Sequence, residues 1–441
     1  MSTAANLNYM DGGTAAQLRG DPITGDRYTS TEFMQREWDH MWTRIWHMGG
    51  RLAEMPEPGD YTMHDFRHES VIMIRQEDGS VRAFYNTCRH RGTRLAWNES
   101  GSGNGFTCPY HGWQWGIDGV LQYAQDPDDF EDGCPVGELS LSELRCETWG
   151  GFAWWNMDPD APALLDYLDP IPTLFEHRGM DDMIRVFWRT FEVDTNWKFA
   201  CDNFNESYHL PSVHPQLRAN IDEDYANTVF EMYPNGHNRM IEMGQPSMRA
   251  DVPNAVESPW DMMLAKWDLD PKDFEGRARE GRIAMQKQMR KLAKEKGYLH
   301  LDGFTDSELT DPHHYTCFPN VTITAGHEGV FVFRTEPHLT DPNKCTFDCF
   351  WLVNKVHGQD TIMTLVGERP FEECEHEHID YGTGVPIPDM EGSFLIQDLS
   401  VAVGQQRGLA SRGYTDAHLT GQESRVRRFH EVLNDYLEGR R

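Results

Sequence analysis

Two short segments bring thiols and imidazoles together. Cys88-Arg-His90 is followed, after seventeen intervening residues, by Cys108-Pro-Tyr-His111. Each half offers one thiolate and one imidazole, and two of each can close a tetrahedral zinc site. The same four can hold a 2Fe–2S cluster, with both cysteines on one iron and both histidines on the other. Imidazole is neutral where thiolate is anionic, so that arrangement raises the cluster's reduction potential. Cys-X-His is an unusual zinc half-site, because zinc fingers mostly pair two cysteines in one half and two histidines in the other. Glycine stands close behind each half, at Gly92 and Gly112, and lets backbone N–H groups approach cluster sulfurs. These features favour iron–sulfur over zinc.

A second constellation follows downstream, in Asp202-Asn203-Phe204-Asn205-Glu206-Ser207-Tyr208-His209 and on to Pro211 and His214. Glu206 and His209 are three apart, a spacing that puts them on one face of a helix. Pro211 is expected to end or kink that helix, swinging His214 back toward His209. Two histidines with one distant carboxylate form the facial triad of non-haem iron(II) oxygenases, which leaves positions open for O₂. Read alone, these are also the polar residues of an ordinary helix end. The thiol–imidazole motif upstream tips the reading toward a metal site. Asn203 reads as a support for the ligands or as an amide that caps a helix start.

Cys88-Arg-His90-Arg-Gly92 with Cys108-Pro-Tyr-His111-Gly-Trp113 resembles the Rieske motif of aromatic-ring-hydroxylating and related oxygenases. Rieske proteins of respiratory complexes are similar but normally add two further cysteines; Thr93 and Gly112 flank the sites here. The segment from Asp202 to His214 resembles the catalytic-domain signature of the same oxygenases. The resemblance implies a catalytic (alpha) subunit with a Rieske 2Fe–2S cluster on Cys88, His90, Cys108 and His111. It also implies a mononuclear non-haem Fe(II) on His209, His214 and an aspartate of a C-terminal helix. Asp398 is the best match for that aspartate; Asp389 and Glu391 lie nearby in a Pro/Gly-rich loop that would fix a ligand less rigidly. By the same resemblance Glu206 carries electrons between subunits, joining a neighbour's His111 to His209. Most members have aspartate there, and glutamate occurs in some, including ones acting on quaternary ammonium compounds. The implied partners are an NAD(P)H-dependent reductase, a ferredoxin, O₂ and a small organic substrate. The implied assembly is a homotrimer, with or without β subunits. A pure electron-transfer protein would need no second metal set, and a zinc scaffold would take up no electrons.

The elements that must position these residues change character along the chain. Residues 60–66, 70–75 and 81–85 alternate as strands, with a turn signal at 77–80 between the last two. Beyond about residue 159 a strand is expected at 187–193, a helix at 197–210 and mostly helix over 260–296. Antiparallel strands are expected at 321–324, 330–334 and 345–356, then helices at 394–409 and 422–437. The pattern reads as a small all-β module followed by a larger α+β module. The resemblance implies that the fold class is α+β, with an N-terminal all-β Rieske domain over 40–158 and a helix-grip catalytic domain of antiparallel sheet and helices over 1–39 and 159–441. Residues 232–263, rich in Met and Trp, are expected to include pocket walls.

With 40 basic against 71 acidic residues the net charge is −31, the opposite of a nucleic-acid binder. No stretch approaches about 20 consecutive apolar residues, so no membrane span is expected. Residues 1–21 carry neither a basic leader nor an apolar core, and nine scattered cysteines argue against a disulfide framework. The expected location is the cytoplasm.

Overall fold

The computed structural model describes residues 18–252 and 254–441. Two compact units emerge: Glu37–Pro172, and the described residues up to Arg36 together with Thr173–Arg441. Residues 1–17, expected to belong with the catalytic module, and residue 253, inside the expected pocket-wall segment, lie outside the described residues.

The regular structure of Glu37–Pro172 is mostly short strands. These are β1 (His47–Arg51), β2 (Asp60–Phe66), β3 (Glu69–Arg75), β4 (Val81–Tyr85), β5 (Ser100–Ser102), β6 (Gly105–Thr107), β7 (Gln114–Gly116), β8 (Leu121–Tyr123), β9 (Glu143–Trp149) and β10 (Phe152–Asn156). Seven form one sheet in the order β1-β10-β9-β4-β3-β2-β5, and β6-β7-β8 form another. The β3–β4 hairpin closes where sequence places its turn. Asp78 accepts from Ser80 N–H at 2.9 Å, and Gly79 takes φ +83°, a conformation glycine adopts without steric cost. Ile72, Ile74, Phe84, Trp115 and Leu121 pack around Cys88 and Cys108, which buries both thiols. A short helix, Leu164–Leu168, lies on β9, with Leu164 N–H donating to Glu147 at 2.9 Å. Residues 159–172, grouped from sequence with the second module, thus sit with the first.

The second unit centres on an eight-stranded sheet. Its strands are β11 (Ile184–Val193), β12 (Val229–Met232), β13 (Asn238–Ile241), β14 (His313–Cys317), β15 (Val321–Ala325), β16 (Gly329–Pro337) and β17 (Cys345–Val353). A small separate hairpin, β18 (Thr361–Thr364) and β19 (Gly367–Pro370), precedes the last strand, β20 (Glu377–Gly382). The order is β12-β13-β14-β15-β16-β17-β11-β20, antiparallel throughout except for β11 beside β20. Four helices matter to the site: α1 (Lys198–Phe204), α2 (Leu210–Val213), α3 (Phe394–Leu409) and α4 (Ser424–Leu437). The expected class, an all-β module plus an antiparallel sheet with helices, is the class observed.

The mostly helical stretch is interrupted, and the helix expected over 197–210 needs correction. Over 260–296 the chain makes helices Trp260–Lys266 and Gly281–Leu292 with short 3₁₀ turns between them. Asp270 caps the turn opened by Pro271, accepting from Lys272 N–H at 3.0 Å, and local capping there displaces continuous helix. Over 197–210 the helix stops at Phe204. Thr316 Oγ1 donates to Asn205 Oδ1 (2.8 Å), and buried Arg425 donates to the Phe204 carbonyl (3.3 Å). Pro211 then lies in the first turn of α2, where its missing N–H costs nothing, so it helps to start a helix rather than end one.

Candidate metal centres

The first constellation sits on two loops of matching geometry, between β4 and β5 and between β6 and β7. Cys88 N–H donates to the Thr93 carbonyl (2.8 Å) and Gly92 N–H to the Cys88 carbonyl (2.9 Å). Cys108 N–H donates likewise to the Trp113 carbonyl (2.8 Å), and Gly112 N–H to the Cys108 carbonyl (3.0 Å). Gly92 and Gly112 both have left-handed φ, +79° and +69°, where a side chain would be strained. The loops bring the Cys88 and Cys108 thiols within hydrogen-bonding reach of each other in the core. The His90 and His111 rings meet edge to face at 4.6 Å near the surface, and Trp113 stacks on His90 at 4.5 Å. Burial, the His111 ring and the Arg91 guanidinium lower the pKa of His90, which favours the neutral imidazole a metal takes. Burial also raises the Cys88 pKa. At Cys108, burial is outweighed by the N–H groups of Tyr110 and His111 and by the Cys88 and Thr93 side chains, so its pKa falls. His111 Nδ1 is buried with no hydrogen-bond partner among the described residues. An orphaned imidazole nitrogen beside two buried thiols fits a metal cluster.

The second constellation is assembled from α2, the turn before it and α3. His209, His214 and Asp398 each offer a ligand atom, and these atoms lie within 4.8 Å of one another. His214 Nε2 stands 2.9 Å from Asp398 Oδ1, and His209 Nε2 3.7 Å from the same oxygen. Neighbouring ligands held about 2.1 Å from one ion lie roughly 3 Å apart, so the spacing suits a shared cation. The outer nitrogens are already engaged. His209 Nδ1 is 2.7 Å from Glu206 Oε1, and His214 Nδ1 is 2.7 Å from Gln397 Oε1. Acceptors at both Nδ1 atoms hold the protons there and leave the Nε2 lone pairs facing Asp398. Burial opposes protonation of His209, yet Glu206, Asp398 and Glu242 outweigh it and raise its pKa. Asp398 is 4% exposed, whereas Asp389 is ion-paired with Arg189 at 2.5 Å and Glu391 lies on the surface.

Glu206 and His209 do meet, but not through a shared helical face. They occupy the turn between α1 and α2, where Glu206 Oε2 also accepts from His209 N–H at 3.0 Å. Gln422, just ahead of α4, anchors that turn by donating to Ser207 Oγ at 3.0 Å. Asn203 is in the last turn of α1, so it caps no helix start. It lines a small apolar cavity with Phe199, Phe204, Phe347 and Asp398, and its Nδ2 is buried without a hydrogen-bond partner among the described residues.

A family model described as the ring hydroxylating alpha subunit (catalytic domain) matches residues 149–439, well over half of the chain. The chain belongs to the ring-hydroxylating alpha-subunit family. A Rieske [2Fe-2S] domain model matches residues 45–132, so the first unit of this alpha subunit is a Rieske domain. The large oxygenase component of a naphthalene 1,2-dioxygenase system from Ralstonia sp is 35% identical over 199 residues, 44% of this chain and 43% of that protein. A carnitine monooxygenase oxygenase subunit from Acinetobacter baumannii is 31% identical over 199 residues, 45% of this chain and 53% of that protein. The chain thus spans about half the length of the curated relatives it matches. A naphthalene 1,2-dioxygenase structure superposes with a TM-score of 0.66 at 22% identity, covering 95% of this chain and 92% of that one. A quaternary ammonium Rieske monooxygenase gives 0.64 at 21%, covering 94% and 95%. At such identities the likeness is one of fold.

Gln397 went unnoticed in the sequence, although it directly precedes Asp398. Its Oε1 also accepts from Gln216 Nε2 at 2.8 Å, so the amide is held with oxygen toward His214. Gln397→Leu is expected to weaken iron binding at the second centre by about 10–100-fold. Anaerobic competition with a ferrous chelator measures this, and the cluster's visible absorption should not change.

Proposed function

We propose that this alpha subunit is the terminal oxygenase component of a multicomponent Rieske oxygenase that hydroxylates an organic, aromatic substrate. Electrons come from NAD(P)H through a reductase, with or without a ferredoxin, and O₂ is the oxidant. The observation that carries this reading is the three-residue set His209, His214 and Asp398, in a chain that also has a Rieske domain. The donor sets suit a 2Fe–2S cluster on Cys88, His90, Cys108 and His111, and a mononuclear Fe(II) on His209, His214 and Asp398. When bound, the mononuclear iron supplies the chemistry of O₂ reduction and substrate oxidation.

The chain's own residues set the conditions. Glu206 and Gln397 hold the two imidazoles by Nδ1, fixing each ring's tautomer and orientation. Phe394 packs edge-on to His214 at 6.3 Å and puts an apolar ring beside the ligand set. Glu206 is further read as the electron link to the partner subunit's His111, which calls for a homotrimer, with or without β subunits, and Asn203 as a support beneath Asp398. Among the described residues no helix is long and apolar enough to cross a membrane. The acidic charge gives no reason to expect nucleic acid, and a cytoplasmic location is part of the same proposal.

Glutamate at position 206 and the similarity to a carnitine monooxygenase subunit favour a second reading, monooxygenation or N-demethylation of a quaternary ammonium or other non-aromatic compound. The test is to reduce the purified protein under nitrogen, add naphthalene or a trimethylammonium compound, and admit ¹⁸O₂. Two labelled oxygens on the ring establish dihydroxylation. Formaldehyde with a demethylated amine establishes the second reading. No label and no electron uptake with either compound would overturn both.

A further inference from the structure

The sheet face that looks onto α1 and α3 carries one unusual row. Across β13 to β17 the residues in register are Met240, His314, Thr324, Phe331 and Trp351. The last four are half-buried, while the next row on the same face, Thr316, Thr322, Phe333 and Cys349, is buried. His314, Thr324, Phe331 and Trp351 thus stay partly accessible on a face that helices cover.

One end of this row is aromatic and touches the second metal centre. Phe331 stacks on Trp351 at 4.6 Å and meets Phe394 at right angles at 6.0 Å, and Phe394 in turn contacts His214. The other end is polar. His314 Nδ1 lies 2.9 Å from Thr324 Oγ1, and its Nε2 lies 3.1 Å from Glu242 Oε2. Glu242 is 1% exposed, and its second oxygen, Oε1, has no hydrogen-bond partner among the described residues. Arg425 is a buried guanidinium whose charged form both Glu242 and Glu206 favour against the burial that opposes it. Arg425 donates to Asn238, Thr316 and the carbonyls of Phe204 and His314, and to neither carboxylate among the described residues. The polar end of the row therefore holds a buried carboxylate with an idle acceptor.

A buried carboxylate oxygen without a donor is costly unless a ligand supplies one. The donor it suits best is charged, because a charge-assisted bond is the stronger kind and an anion placed there would be repelled. We propose that Glu242, backed by His314, determines specificity by binding a protonated amino group on a substrate whose apolar part lies along Phe331, Trp351 and Phe394. This rests on the reading of the chain as an oxygenase, and it narrows the substrate to compounds that join a basic nitrogen to an apolar or aromatic body.

The test is calorimetric binding of three probes sharing one ring system, 2-naphthylmethylamine, 2-naphthylmethanol and 2-naphthoate, to the purified holoprotein at neutral pH. The amine should bind at least about ten-fold tighter than the alcohol, and the carboxylate weakest of all. Glu242→Gln keeps the shape, and it should bring amine and alcohol within about two-fold of each other. Equal binding of amine and alcohol, tighter binding of the carboxylate, or a preference that survives Glu242→Gln would each overturn the proposal. Where the variant does not fold, the wild-type ranking decides. Cluster absorption and iron content of the same samples test the oxygenase reading separately. A protein without iron that still prefers the amine keeps the binding site at Glu242 and loses the oxygenase reading that makes its ligand a substrate.

Discussion

Asp398→Asn and His214→Ala should each strip the mononuclear iron from the protein while the cluster's visible absorption keeps its wild-type intensity. The two centres draw on different units of the chain, so loss at one leaves the other's ligands untouched. Asp398 is the only carboxylate of the three-residue set, and its Oδ1 faces both imidazoles, at 2.9 and 3.7 Å. Asparagine keeps the shape of that side chain but removes the anion that offsets the metal's charge, so the fold is retained and affinity collapses. Alanine at 214 removes a nitrogen donor and leaves Gln397 without its imidazole partner. Turnover should drop at least about a thousand-fold in either variant, equivalent to about 4 kcal/mol of barrier. Chelator-based iron assay read beside the absorption spectrum decides the matter. Full iron at the second centre in either variant would remove that residue from the ligand set.

Legibility in the sequence followed how local the determining contacts are. The strands at 60–66 and 81–85 and the helix at 394–409 have the expected limits, because alternation or helical periodicity within the segment defines each. In the structure the Ser393 hydroxyl accepts from Ile396 N–H and caps the start of that helix. The Cys88/His90 and Cys108/His111 pairs were legible for a similar reason, since each half-site is made within one loop. The end of α1 at Phe204 was not, because Thr316 and Arg425, more than a hundred residues away, hold it there. Pro211 was visible as punctuation, but proline opens a helix as readily as it closes one, and only the turn before it settles which. Gln397 and Glu242 carry no local signal at all. Their partners, His214 and His314, are 183 and 72 residues distant.

Glu206→Gln should retain both iron centres and yet slow turnover by more than about a hundred-fold. Glu206 does two things to His209, accepting from its backbone N–H at 3.0 Å and from ring Nδ1 at 2.7 Å. Glutamine keeps one acceptor for the ring, so the imidazole stays oriented. The missing charge has two opposing effects on iron. Glu206 raises the basicity of His209, which strengthens it as a donor but also strengthens the competing proton. The two act against each other, so iron occupancy should fall little. What glutamine cannot replace is an anionic carboxylate linking two imidazoles, the role this residue is proposed to fill between subunits. The decisive measurement is the rate at which a pre-reduced cluster is reoxidised when substrate and O₂ are added to an iron-replete variant. Slow reoxidation with full iron supports the link, and wild-type reoxidation sinks it. Glu206→Asp separates charge from reach: it restores the anion one methylene shorter, so a rate between those of wild type and Glu206→Gln is expected. A rate equal to the glutamine variant would show that distance, rather than charge, limits transfer.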